Sequence, residues 1–156
     1  MKKQWRLFLC GFVVLTVVLA PRLATAEDSS YQALANHFFE MLKAGKGAEA
    51  VDYLMGTNPA MKKVPDQMEQ LRSGFASLGP MMGNYISQQK LIETKVADML
   101  VYQHYFVAYE RQPISVRIEF YKPAGKWMAY SLQFDTKLPD SIQQQADNNL
   151  RTDTQY

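Results

Sequence analysis

Three segments in the second half of the chain, Leu100–Tyr109, Ile114–Tyr121 and Trp127–Phe134, alternate apolar and polar residues at every second position. Tyrosine, valine, isoleucine and phenylalanine dominate them, the side chains that fit a pleated, half-buried surface. The links between them are Glu110-Arg111-Gln112-Pro113 and Lys122-Pro123-Ala124-Gly125-Lys126. Links this short cannot return a strand parallel to its predecessor, a crossover that takes roughly a dozen residues or more. The segments are therefore antiparallel neighbours. Tyr85 to Val96, joined through Ala97-Asp98, extends the meander to about four strands.

The same alternation assigns faces. With Tyr121 opposite Trp127, the residues Ile114, Val116, Ile118 and Phe120 meet Phe134, Leu132, Tyr130 and Met128, all apolar or amphipathic. A slip of one residue would mix the faces. Carried across the preceding turn, this register puts Gln103, Tyr105, Val107 and Tyr109 on the core side. It leaves His104 opposite Glu119 on the outer side, with Tyr102, Tyr121 and Trp127.

The first half reads as helix. Tyr31, Leu34, Ala35, Phe38, Met41 and Leu42 recur at steps of three and four, one apolar stripe behind the cap residues Asp28-Ser29-Ser30. Gly45 and Gly47 end that helix. A second, with Ala50, Val51 and Leu54 inward, closes at Gly56. Asn58-Pro59 is a cap followed by a first-turn proline. Met68, Leu71, Phe75 and Leu78 mark a third helix, expected to stop at Gly79-Pro80. The segment 139–156 is rich in Gln, Asn and Asp and reads as a frayed polar helix or a disordered tail.

Residues 1–26 read as a cleavable leader. A basic start, Met1 to Arg6, precedes 14 uncharged residues from Leu7 to Ala20, and Ala24-Thr25-Ala26 supplies small side chains at a cleavage site. The apolar run is shorter than the roughly 20 residues a membrane span needs. No stable anchor is expected after cleavage, and export, to a periplasm or to the outside, follows. The leader holds Lys2, Lys3, Arg6 and Arg22 and no acid, so its loss turns the formal charge of +2 into −2. No basic patch then argues for nucleic acid. The single cysteine, Cys10, lies within the leader, which excludes disulfides and thiol chemistry from residues 27–138, read as a single α+β domain.

Helices followed by an antiparallel meander make an α+β layer architecture. The helix Tyr31–Leu42, the turn Gly79–Gly83 and the run Val101–Phe134 resemble the nuclear transport factor 2-like (cystatin-like) superfold, in small exported bacterial form. Val116-Arg117-Ile118-Glu119-Phe120-Tyr121-Lys122-Pro123-Ala124-Gly125-Lys126-Trp127 is similar to that fold's strand, charged turn and opening tryptophan. The resemblance implies a cone: N-terminal helices packed into the concave side of a curved sheet, with a pocket at the wide end. It implies no activity.

Residue chemistry is sparse. His37 and His104 are the two histidines, and no H-x-x-x-H, H-x-H or H-E-x-x-H spacing exists, so no metal site is expected. No cofactor motif and no G-x-S-x-G elbow is present. No carboxylate falls at an expected core position. No catalytic residue is assigned. The ligand-binding candidates are Gln103, Tyr105, Tyr109 and Tyr130 on the inner sheet face, with His37. Met41, Met68, Met81, Met82 and Met128 are expected to close the same space.

These features favour a non-enzymatic binding or interaction module. Its partner would be a small apolar molecule in the cone, a protein, or a second copy docked on the outer sheet face. The alternatives are a small isomerase or dehydratase using His104 or His37 as base, and an envelope lipid carrier.

Overall fold

The structure, a computed structural model, describes residues 30–144. The expected leader, residues 1–26, and the end of the polar tail lie outside these residues. Helix α1 spans Tyr31–Lys43, and the Ser30 hydroxyl caps it by accepting the Ala33 amide at 3.1 Å. Helix α2 spans Gly47–Met55. A 3-10 turn, Pro59–Lys63, follows its Asn58 cap, and α3 spans Pro65–Met82. Strands β1 (Tyr85–Val96), β2 (Leu100–Tyr109), β3 (Ile114–Tyr121) and β4 (Met128–Asp135) form one antiparallel sheet in sequence order. Residues 138–144 are helical, so the polar tail begins as a helix.

Helix α3 does not stop at Gly79-Pro80. It runs through Pro80 to Met82. A proline lacks the N–H that Ala76 would otherwise receive, and the last turn is held from outside. The Arg111 guanidinium donates to the carbonyls of Pro80 and Met81 at 3.1 and 3.0 Å, and its amide donates to Met82 at 2.9 Å.

The core lies between the helices and one sheet face. Phe39 of α1 meets Tyr105 of β2 with ring centres 4.5 Å apart. Phe75 of α3 meets both Phe38 and Phe134, at 5.6 and 4.9 Å. The inward face of β2 is Val101, Gln103, Tyr105, Val107 and Tyr109, and that of β3 is Ile114, Val116, Ile118 and Phe120, all buried. Alternation read both faces correctly.

The β3–β4 register differs from expectation. Tyr121 pairs with Met128 and Phe120 with Ala129, and then Glu119 pairs with Ser131. Tyr130 is the extra residue of a bulge and is 56% exposed. The cause is outside the sheet. The Thr57 hydroxyl accepts the Ala129 amide at 2.8 Å, and the Asn58 side chain donates to the Ala129 carbonyl at 3.1 Å. Both backbone groups of Ala129 are thus claimed by the α2 exit. Leu132 and Phe134 still face inward beyond the bulge, because the extra residue restores the parity.

On the outer face His104 pairs with Arg117, and Glu119 with Tyr102, so the expected His104–Glu119 ion pair does not form. Trp127 is not on that face. It packs edge-on against Tyr31 at 4.9 Å, with the Lys122 ammonium 4.9 Å from its ring centre. Met81 is exposed rather than packed inward.

Candidate functional site

The inner sheet face carries a chain of polar contacts that begins at β2 and ends at α1. The Tyr105 hydroxyl donates to Gln103 at 2.9 Å, and Gln103 donates to the Glu93 carboxylate at 2.9 Å. Tyr31 donates to the other Glu93 oxygen at 3.0 Å. Lys90 completes the set on Glu93, and Lys95 lies 3.4 Å away. Glu93 is inward because β1 pairs it with Gln103. Lys90, then Gln103 and Tyr31, hold its carboxyl down to about 2 against partial burial. Its lone pairs are all engaged, so it is a fixed anion, not a base.

This network occupies the space between α1 and the sheet where the cone pocket was expected. Gln103 and Tyr105 are buried structural members of it, 1% and 7% exposed. Burial, with the Glu93 charge second, raises the Tyr105 phenol above its ordinary range. Tyr130 points away at the bulge. His37 lies on the exposed side of α1, its ring 4.3 Å from that of Tyr53, outside the inner space. Three of the five candidate ligand residues therefore face the helices, and two do not.

The remaining candidate, Tyr109, lines a cleft of about 250 Å³ where the α1–α2 turn, the end of α3 and the first residue of β1 meet. Tyr109 stacks edge-on against Tyr85 at 5.5 Å. Burial pushes the Tyr109 phenol up to about 12 and also raises Tyr85. The Tyr85 hydroxyl donates to Gln88. Tyr109 is 6% exposed. Leu42, Phe75 and Leu78 form apolar walls, and Lys43 stands at the edge. A second cleft, of about 380 Å³, lies between α2, the 3-10 turn and α3, beside the Arg72–Asp52 ion pair at 2.6 Å.

Neither histidine lines either cleft. His104 is on the outer face, where burial and then the Arg117 charge lower its pKa. Its Nε2 and the Nε of Arg117 are buried with no partner among the described residues. Among those residues no group of three or more His, Cys, Asp or Glu side chains is placed to hold a metal ion. No helix among them is long and apolar enough to cross a membrane.

Sequence reasoning missed Tyr85 and Glu93, the Tyr31 contact to Glu93, and the Asn58 contact to Ala129. Glu93 had a readable signal: counting back from the Val96–Leu100 closure puts it opposite Gln103, hence inward. Asn58 had none, because its partner, the Ala129 carbonyl, is 71 residues away.

No family model matches the chain, and no curated protein matches it. Two solved structures are similar. One is provisionally named an NTF2-like transpeptidase, from Campylobacter jejuni. It is 18% identical, with 63% of this chain and 94% of that one covered and a TM-score of 0.48. The other is provisionally named a calcium/calmodulin-dependent protein kinase type II association domain, from Thiobacillus denitrificans. It is 13% identical, with 67% and 93% covered and a TM-score of 0.44. The element order, the strand order and the placement of helices on one sheet face make an α+β architecture with an antiparallel sheet.

Proposed function

We propose that this chain is an exported, non-enzymatic binding module that holds a small ligand in the cleft beside Tyr85 and Tyr109. One observation carries the reading: Tyr109, 6% exposed, and its ring partner Tyr85 line a cleft with apolar walls. Export is supported by the order of residues 1–26, basic, apolar, then small-x-small. A histidine-based isomerase or dehydratase has no support from the geometry, since His37 is exposed and His104 lies on the outer face. A cleft of about 250 Å³ suits a compact molecule better than an acyl tail.

The test is mass spectrometry of small molecules released from the protein purified from the periplasm of an expressing bacterium. The Gly79→Leu variant is the control. Gly79 lines the cleft, and a Cβ there meets nothing within 4 Å, so leucine adds bulk at the cleft without a clash at its Cβ. A compound recovered from the wild type and missing from Gly79→Leu supports the reading. Equal recovery from both, or none from either, counts against it. Retention of residues 1–26 in the recovered chain would remove the export claim.

A second reading, docking of a protein or a second copy through the outer sheet face, is favoured by one observation. His104 Nε2 and Arg117 Nε are left without partners there among the described residues, and exposed Ile92 pairs with His104 in the sheet. Sedimentation of the wild type against an Ile92→Lys variant tests it. A lighter species for the variant supports docking between copies, and an unchanged monomer removes it.

A further inference from the structure

Between the bulges at Leu91 and Tyr130 the outer face of the sheet is regular. Two rows of side chains cross it there. Arg117 of β3 stands between His104 of β2 and Gln133 of β4, and one pleat away Glu119 stands between Tyr102 and Ser131. Residues two apart on a strand share a face, so both rows point away from the helices.

The first row is electrically incomplete. His104 Nε2 and Arg117 Nε are buried and have no partner among the described residues, whereas buried polar atoms ordinarily have one. The second row holds what they lack. The Glu119 carboxylate is in no ion pair among the described residues, and Tyr102 carries a hydroxyl. Within one chain the rows stand side by side on one surface and cannot meet head on.

In two copies they can. An interface between identical chains is self-complementary about a two-fold axis. An axis that crosses the strands between the two rows lays the first row of one copy on the second row of the other. Arg117 then meets Glu119, His104 meets Tyr102, and Gln133 meets Ser131. Each is an opposite-charge or donor–acceptor match, made twice by symmetry. Further out, Leu100, paired with Tyr121, and Phe106, paired with Ser115, fall at equal distances on either side of the axis, so apolar covers apolar. The strands of the two copies then run nearly antiparallel, as in aligned sheet packing, with the sheets about 10 Å apart. An axis along the strands instead sets Arg117 on His104 and Glu119 on Tyr102, and gives the arginine no carboxylate. Charge complementarity thus selects both the occupant and its register.

We infer that two copies of this chain pack back to back through their outer sheet faces, with Arg117 of each on Glu119 of the other. The inference rests on the docking reading of that face and goes further by fixing the occupant as a second copy and setting its register.

The experiment is sedimentation of the chain purified from the periplasm, over a range of concentrations, with circular dichroism as the check of folding. The wild type should dimerise. Arg117→Glu and Glu119→Arg each put like charges across the interface and should weaken the dimer about tenfold or more. Mixed in equal amounts, the two variants should associate again, since the charges between unlike copies are then opposite in sign. If a reversal unfolds the chain, Arg117→Gln and Glu119→Gln replace the pair, and each should weaken the dimer. An isotope-filtered nuclear Overhauser spectrum of labelled with unlabelled wild type sets the register. Leu100 and Phe106 are six residues apart on one strand, roughly 20 Å, so a contact between them arises only between copies. A dimer indifferent to both charges, a mixture of reversals that stays monomeric, or the absence of the Leu100–Phe106 contact overturns the register and leaves docking of copies standing. A monomer at every concentration overturns both, and contacts from residues 145–156 to Arg117 in that monomer would give the face to the chain's own tail.

Discussion

The Tyr31 hydroxyl donates to the Glu93 carboxylate at 3.0 Å across 62 residues of sequence, tying the first turn of α1 to the edge strand β1. The Lys95 ammonium lies 5.2 Å from the centre of the same tyrosine ring. Edge strands carry unpaired backbone groups that invite association. Here the edge is fixed by one buried-side anion with donors from α1, β1 and β2.

Glu93→Gln should destabilise the fold, and the loss should depend on pH. An amide cannot accept from Lys90, Gln103 and Tyr31 together. In the folded chain Lys90 leads in holding the Glu93 carboxyl down to about 2, against an ordinary 4.5. A depressed folded pKa stabilises above the unfolded value and fades as pH falls towards the folded one. The gap in melting temperature between wild type and variant should be full at pH 7, begin to shrink below about 4.5, and close near 2. A gap independent of pH would mean the carboxylate charge is not what matters.

Gly47→Ala and Gly79→Ala should move stability in opposite directions. At Gly47 the added methyl meets the Phe75 backbone, which cannot swing aside, and overpacking of this kind costs about 1–3 kcal/mol. At Gly79 a methyl meets nothing, and the residue is helical. Alanine there should stabilise by about 0.5–1 kcal/mol. Urea denaturation of the two variants checks the pair, and a stabilised Gly47→Ala would contradict the close approach of α2 to α3.

Asn58→Ala should cost about 2–3 kcal/mol, because it removes a cap and strands a buried carbonyl. The Asn58 side chain accepts the Ala60 amide at 3.0 Å and donates to Ala129 at 3.1 Å. Hydrogen exchange should rise locally at Ala129 and Tyr130. Loss of stability without that local change would place the role of Asn58 in the 3-10 turn alone.

His104 should titrate below its ordinary 6.5, for burial and the Arg117 charge both disfavour the imidazolium. An unfolded chain takes up that proton first, so this site weakens the fold as pH falls through 6.5. Arg117→Gln should raise the His104 midpoint, read from its ring proton shifts. An unmoved midpoint would leave burial as the sole cause.

The inward sets of β2 and β3 were legible because alternation is a local property: each residue's face follows from its neighbour's. The helix stripe of α1 and the Asn58 cap were legible for the same reason. By itself the sequence determined an α+β chain with a short-linked antiparallel meander and no cysteine after residue 10. Tertiary structure alone decided three things. Thr57 and Asn58 claim the backbone of Ala129, which throws Tyr130 out of the inner face. Arg111 holds the end of α3, which lets the helix run past Pro80. Glu93, from a strand that is mostly exposed, draws Tyr31 and Gln103 together and fills the space expected for a ligand. Each joins groups far apart in sequence, and periodicity, which records only the spacing of neighbours, carries no trace of such distant hydrogen bonds.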